Sequence, residues 1–190
     1  MRLTISTGNS KLGTIPNISL MPIKSCPPGV PCAKLCYCNR ALVQYPAVRR
    51  AWGDNQKLWE QNEIRYFRQL KDYLAKHRPR LFRYHVGGDV PDSTYFINML
   101  HIADLFKETE FLAYTKNFLL PELTAPTPTN LTVILSMWPG QPDPGLNGFR
   151  RSWLSHDPRA PLSAFPCPGK CSVCGYCWGQ DRDDIKFDLH

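Results

Sequence analysis

The chain has 190 residues, of which 43% are hydrophobic and 12% aromatic, and its formal net charge is +7. This composition predicts one domain with its own hydrophobic core and excludes a disordered chain. The first residues lack the apolar stretch of a signal peptide, and the longest apolar run, residues 131–138, is too short to span a membrane. We therefore expect a cytoplasmic protein with no membrane partner, whose eight cysteines stay reduced and bind metal rather than form disulfides.

The positive charge occurs in short clusters. These are Arg49 with Arg50, residues 76–80, and Arg150 with Arg151. Such clusters can attract nucleic acid or an anionic small substrate, and they can equally be ordinary solubility charge. The charge alone does not decide between these interpretations.

The first half of the chain predicts one strand, a loop and two helices. Residues 14–23 predict the first strand, and residues 24–40 a cysteine loop stiffened by prolines. A short helix opens at Pro46 and covers residues 47–52. A longer helix spans residues 54–76, with apolar residues on one face in its second half, and Pro79 ends it.

The second half predicts further strands and one helix. Residues 81–86 alternate between apolar and polar side chains, which is typical of a strand, and Pro91-Asp92-Ser93 supplies an N-cap for the helix that follows. Residues 110–115 predict a third strand and residues 131–137 a fourth. Residues 185–190 predict a last strand-like piece.

Strands alternating with helices predict a parallel sheet with right-handed crossovers. With five or six strands, we expect a small partial barrel or an open, mostly parallel sheet within a single α/β domain over residues 1–190. Residues 139–190 predict an irregular, cysteine-rich C-terminal segment packed on that domain, with little periodicity over residues 139–166. Ligands in such sheets bind at the carboxyl ends of the strands, where the cysteine loop and Gly87-Gly88-Asp89 fall.

The first cysteine group is Cys26, Cys32, Cys36 and Cys38, all within thirteen residues. Three thiolates on a [4Fe–4S] cluster leave one iron open to a substrate or cofactor, whereas four close the cluster. A disulfide framework and a structural zinc knuckle are the alternatives. Spacing alone does not decide between three ligands and four.

The second cysteine group is Cys167, Cys171, Cys174 and Cys177, with the spacing C-x3-C-x2-C-x2-C. The spacing favours a second iron–sulfur cluster, because zinc prefers two separated pairs of ligands and a C-x2-C-x2-C run is typical of a cubane. Zinc remains the alternative at this group. The centre could serve only to tie the C-terminal segment to the body of the protein.

Polar residues near the ends of predicted strands complete the candidate site. Gly87-Gly88-Asp89 follows the second strand and predicts either a tight turn or a close approach to a ligand. His85, predicted on the strand face opposite Tyr84, is a candidate base, although a satisfied polar residue is the more common role. Lys116 and Ser136, like Tyr114, fall near the ends of later strands and are candidates to line a site.

Several motifs resemble one phage and prophage family, named for mycobacteriophage gene product 88. They are Gly8-Asn9-Ser10-Lys11-Leu12-Gly13, Cys26-Pro27 with Cys32 and Cys36-Tyr37, Tyr45-Pro46-Ala47-Val48, Gly88-Asp89, Tyr114-Thr115-Lys116, and the Cys-Pro…Cys…Cys-Gly-Tyr-Cys-Trp end with the terminal His190. The resemblance covers nearly the whole chain and implies a phage protein in a bacterial cytoplasm. It also implies that Cys38 is not a ligand, because alanine is more usual at that position in the family.

The arrangement resembles, more distantly, the radical S-adenosylmethionine superfamily. Its members carry three cysteines after the first strand, and a Gly-Gly-Glu after the second strand that holds the methionine amino group. Gly87-Gly88-Asp89 has the same order with a shorter carboxylate, whereas the cysteine spacing C-x5-C-x3-C-x-C departs from C-x3-C-x2-C. The resemblance implies a cofactor site at Gly87, Gly88, Asp89 and Ser136.

The enzyme hypothesis is therefore reductive cleavage of S-adenosylmethionine and hydrogen abstraction from an unknown substrate. His85, Tyr114 and Lys116 are its candidate catalytic residues. The rival hypothesis is a non-catalytic iron–sulfur or zinc protein that binds nucleic acid or a host protein through its basic surface. The sequence leaves the substrate and the oligomeric state open.

Overall fold

A computed structural model describes residues 1–7 and 9–188. Within them the chain forms seven strands and five helices. The strands are β1 Asn17–Ile18, β2 Leu81–Tyr84, β3 Glu110–Thr115, β4 Leu131–Ser136, β5 Arg150–Leu154, β6 Phe165–Pro166 and β7 Ile185–Phe187. The helices are α1 Tyr37–Gln44, α2 Pro46–Gln61, α3 Glu63–His77, α4 Ser93–Leu105 and α5 Cys171–Cys174.

The strands form one open sheet in which every pair is parallel, in the order β1-β2-β3-β4-β5-β7-β6. The predicted α/β class and parallel sheet are confirmed, but the sheet has seven strands rather than five or six. Strands β1 to β5 are neighbours in chain order, so their carboxyl ends share one edge of the sheet.

Helices α2, α3 and α4 cover one face of this sheet. Alternate residues of the strands, such as Phe82, Phe111 and Val133, point to this face and join the main hydrophobic core. The helices contribute Leu70 and Phe96 to the same cluster. Right-handed crossovers between strands that follow in chain order place the connecting helices together on one face.

The C-terminal segment covers part of the opposite face. Leu112 and Ile134 on that face belong to a second hydrophobic cluster, together with Cys171, Cys177 and Trp178. Leu12 and Ile15, from the segment before β1, belong to the same cluster. The sheet therefore has helices on one side and a cysteine-rich segment on the other.

Two helix boundaries in the first half differ from the prediction. Helix α2 runs through Gly53 to Gln61, and the break before α3 lies at Asn62, whose side chain accepts a hydrogen bond from the Arg65 N–H at 2.8 Å. This cap makes Asn62 the natural start of α3. Helix α1 occupies the end of the predicted cysteine loop, and β1 is shorter than predicted.

The C-terminal third contains more regular structure than predicted. Strands β5 and β6 lie inside residues 139–166, which the sequence predicted to be irregular. The last strand ends at Phe187, and the predicted extension to His190 lies outside the described residues, as does Gly8 of the first motif. None of the described helices is both long and apolar enough to cross a bilayer.

Candidate metal centre

Asp89 joins the ends of β2 and β3. Its carboxylate is 5% exposed and accepts hydrogen bonds from the backbone N–H groups of Val90 at 2.7 Å and Lys116 at 2.8 Å. Burial raises the pKa of Asp89 above its ordinary value, while the Thr115 hydroxyl and these N–H groups act in the opposite direction. The carboxylate thus holds two loops together at the carboxyl edge of the sheet.

Lys116 follows β3 and joins this edge to β4. Its ammonium group donates to the Ser136 hydroxyl at 2.5 Å, and its side chain is half-buried. Lys116 also interacts electrostatically with the thiols of Cys32 and Cys36. A fixed positive charge therefore lies beside the first cysteine group.

Cys26, Cys32 and Cys36 lie close enough to perturb one another. Burial raises the pKa of Cys26 to about 12, with further contributions from the Asp89 carboxylate and from the Cys32 and Cys36 thiols. Burial also raises the pKa of Cys32. The Cys26 sulfur accepts a hydrogen bond from the backbone N–H of Ile23 at 3.3 Å. The structure therefore brings these three cysteines together with Asp89 and Lys116.

Cys36 and Cys38 form an asymmetric pair at the start of α1. A hydrogen bond from the Cys38 thiol, together with the backbone N–H groups of Cys38 and Asn39, outweighs burial and lowers the pKa of Cys36 to about 6. These N–H groups are available because Cys36 is the N-cap of the helix. Cys38 is buried, has the Val86 carbonyl 3.6 Å from its sulfur, and keeps its proton.

Gly87 and Gly88 are required by packing within the protein. A Cβ on Gly88, whose φ is +81°, would lie 2.4 Å from the Ser25 Oγ and 2.9 Å from the Leu20 carbonyl oxygen. A Cβ on Gly87 would lie 2.3 Å from the ring of Trp52. The tight-turn interpretation therefore explains both glycines without a ligand, and their contact with a cofactor stays a prediction.

His85 does not lie on the predicted face. It follows the end of β2 with a φ of +54°, which breaks the strand alternation and places its ring against Tyr84 and Tyr95 on the helix-covered side. Burial, and secondarily the charge of Arg83, lowers the pKa of His85 to about 3. The buried ring is neutral at physiological pH, and within residues 1–7 and 9–188 neither of its nitrogens has a hydrogen-bond partner.

Tyr114 contacts the second cysteine group instead of the first. Its hydroxyl donates to the Cys177 sulfur at 3.0 Å, and the Arg83 guanidinium lies 4.7 Å from the centre of its ring. The sequence did not single out Arg83 as a site residue. The signal was available, because Arg83 alternates with Phe82 and Tyr84 along β2 and so points to the opposite face.

The four C-terminal thiols line one small cavity of about 10 Å³. Burial raises the pKa values of Cys171 and Cys177, and the positive charge of Arg83 acts against this effect at both. No group of three or more His, Cys, Asp or Glu side chains within residues 1–7 and 9–188 is arranged to hold a metal ion. Thiols grouped in this way are nevertheless the ligand type of iron–sulfur and zinc centres.

One predicted basic cluster does not face solvent. Arg150 is buried and donates to the carbonyl oxygens of Gly179 at 2.6 Å and Asp183 at 2.8 Å. Arg151 pairs with Asp143 at 3.1 Å. These two arginines are therefore used inside the fold, whereas Arg49, Arg50 and most of residues 76–80 are exposed.

A family model described as gene product 88 matches residues 3–142, which is more than half of the chain. The matched region contains the first cysteine group, Asp89, Lys116 and Ser136, and it ends before the second cysteine group. In the comparisons with curated proteins and with solved structures, nothing matches the chain.

Proposed function

The chain belongs to the gene product 88 family. From the residues of the site we propose that it is an iron–sulfur enzyme of the radical S-adenosylmethionine type. One observation carries the proposal. At the carboxyl edge of a parallel sheet, Asp89 interacts electrostatically with Cys26 and Cys32, and Lys116 interacts with Cys32 and Cys36. That edge is where parallel α/β sheets bind their ligands.

The winding of the sheet supports the proposal. Strands β1 to β5 are parallel neighbours in chain order, and the long helices pack on one face. This is the winding of β/α barrels, of which the radical S-adenosylmethionine fold is a partial form. Fold likeness is an argument by analogy, so the site chemistry has to carry the functional claim.

In this proposal Cys26, Cys32 and Cys36 hold a [4Fe–4S] cluster. Such a centre supplies the electron that splits bound S-adenosylmethionine, so that a hydrogen atom can be taken from a substrate. Cys36 is already a thiolate at neutral pH, whereas Cys26 must lose its proton on ligation. Lys116 offsets the negative charge that accumulates when three thiolates come together.

The roles of Asp89 and Ser136 differ within this site. Asp89 holds the backbone of Lys116, and a carboxylate with two oxygens still has capacity for one further donor, such as a ligand ammonium group. The Ser136 hydroxyl accepts a hydrogen bond from the Lys116 ammonium group and so fixes the position of that charge. Of the predicted catalytic residues, only Lys116 belongs to this arrangement.

The test is anaerobic purification followed by counting iron and sulfide and recording the spin-resonance spectrum of the reduced protein. We expect a cluster whose spectrum changes when S-adenosylmethionine is added. The triple variant Cys26→Ser/Cys32→Ser/Cys36→Ser should lose that response. A wild-type spectrum that never responds to S-adenosylmethionine would remove the enzyme proposal.

A second candidate function rests on the exposed basic residues. Arg49 and Arg50 on α2, with Lys76, Arg78 and Arg80 around the end of α3, are exposed. They favour a non-catalytic metal protein that binds nucleic acid in the cytoplasm of a bacterial host. Binding of DNA or RNA whose affinity falls steeply with salt, together with no response to S-adenosylmethionine, would favour this function.

A further inference from the structure

Hydrogen bonds from several parts of the chain hold the second cysteine group against the sheet. The backbone N–H of Cys171 donates to the Lys11 carbonyl at 2.7 Å, and the Tyr114 hydroxyl donates to Cys177. The Thr132 hydroxyl donates to the Trp178 carbonyl at 2.8 Å. Elements that are distant in sequence therefore hold the four thiols around one cavity.

The segment that carries these thiols has little regular structure of its own. Residues 167–178 contain only the four-residue helix α5 and a three-residue 3₁₀ turn, Tyr176–Trp178. They nevertheless cover Leu112 and Ile134 on the open face of the sheet, which is the face opposite helices α2, α3 and α4. Short loop-rich segments of this kind commonly need a disulfide or a metal to stay folded.

The charges around the cavity suit thiolates. The Arg83 guanidinium lies over the Tyr114 ring and interacts with Cys171 and Cys177. Lys11 also interacts with Cys171. A centre with four thiolates carries net negative charge, which these two cations offset within the same face of the sheet.

We propose that Cys167, Cys171, Cys174 and Cys177 bind one thiolate-ligated metal centre that fixes residues 167–178 on the open face of the sheet. Tyr114 and Arg83 are its positioning residues, through a hydrogen bond to one ligand and a nearby positive charge. Ligation requires the thiols to turn toward their shared cavity and to release their protons. The proposal is independent of the first centre and of S-adenosylmethionine chemistry.

The test isolates this centre in a chain that lacks the first one. In the Cys26→Ser/Cys32→Ser/Cys36→Ser/Cys38→Ser background, purified anaerobically, we expect either about four iron with four sulfide or about one zinc per chain. Either result supports a metal centre here, and the count tells a cluster from a single ion. A chain with no bound iron or zinc after anaerobic reconstitution with each would overturn the proposal.

A matched pair of substitutions locates the ligands. In the same background, Cys174→Ser should lose the metal, whereas Val173→Ser, at the adjacent position with an 85% exposed side chain, should keep it. Loss of metal should also speed backbone hydrogen exchange across residues 167–178 while β3 and β4 stay protected. Equal metal content in the two variants would contradict the assignment.

Tyr114→Phe tests the positioning role. Removing a hydrogen bond to a ligand typically weakens metal affinity by about 10- to 100-fold, so we expect metal retention at high concentration and faster loss to a chelator. Tyr73→Phe, a tyrosine of α3 on the other side of the sheet, is the control. A Tyr114→Phe chain that loses metal at the wild-type rate would show that the hydroxyl does not support the ligand.

Discussion

Replacing Asp89 by alanine should destabilise the protein strongly. The carboxylate accepts hydrogen bonds from the backbone N–H groups of Val90 and Lys116, of which the first is buried and the second partly buried. Alanine leaves the two donors without a partner, and no side chain of similar reach can replace it. The predicted effect is therefore on folding, in addition to any effect on a ligand.

The magnitude follows from the two bonds. A hydrogen bond to a charged group contributes about 1.5–3 kcal/mol, so the loss of both lowers the free energy of unfolding by about 3–6 kcal/mol. Asp89→Asn keeps one acceptor oxygen and turns an amide N–H toward the other donor. We expect Asp89→Asn to lower the free energy of unfolding by about half as much as Asp89→Ala does.

The assay is urea unfolding followed by tryptophan fluorescence, on samples matched for iron content. With a slope of about 2 kcal/mol per molar urea, Asp89→Ala should lower the midpoint by roughly 2 M. Asp72→Ala, on the exposed side of α3, should change stability by no more than about 0.5 kcal/mol. An Asp89→Ala chain as stable as Asp72→Ala would refute this reasoning and leave the carboxylate free for a ligand.

Three further predictions concern the first cysteine group and its turn. Cys38→Ala should retain wild-type iron, whereas Cys36→Ala should lose about one cluster's worth in a metal analysis. In metal-free protein, alkylation of Cys36 should rise with pH around a midpoint near 6, where its thiolate forms, and Cys38→Ala should move that midpoint upward. Gly88→Ala should destabilise more than Gly148→Ala in thermal unfolding, because both have φ above +80° but a Cβ on Gly148 meets nothing within 4 Å.

The sequence predicts a strand or helix well where a single local pattern, such as an apolar run or an N-cap residue, determines it. Strand β3 has the predicted bounds, and α4 starts after Asp92, whose side chain accepts the Tyr95 N–H at 2.8 Å. Helix α2 was divided wrongly at Gly53. A single glycine costs only about 1 kcal/mol in a helix, and burial of Trp52 and Leu58 outweighs it.

The sequence did not predict strand β5, because the charged side chains at its start bind groups that are distant in the chain. Arg150 and Arg151 at its start resemble a surface cluster, yet Arg150 binds carbonyl groups of Gly179 and Asp183, about thirty residues later. Local sequence contains no sign of such partners. The same holds for the contact between Tyr114 and Cys177, which depends on the C-terminal segment folding back over the sheet.

The candidate site was predictable in part, since strand ends are visible in the sequence. Asp89 and Lys116 follow β2 and β3, Ser136 ends β4, and a parallel sheet brings these strand ends to one edge. The predicted strand face of His85 was wrong for a local reason. A positive φ directly after the strand turns its ring to the other face, and strand periodicity does not report such a break.

The two cysteine groups differ in a way that separates their proposed roles. Cys26, Cys32 and Cys36 are half-buried at the carboxyl edge, where a substrate can approach, beside a lysine whose charge is fixed by Ser136. In the second group Cys171 and Cys177 are buried against the sheet face, whereas Cys167 and Cys174 are half-buried. A reactive centre must be accessible to its substrate, whereas a structural centre is better shielded from solvent. We therefore propose a catalytic role for the first group and a structural role for the second. Loss of the second centre should then expose the face behind Tyr114 and leave the S-adenosylmethionine response of the first unchanged.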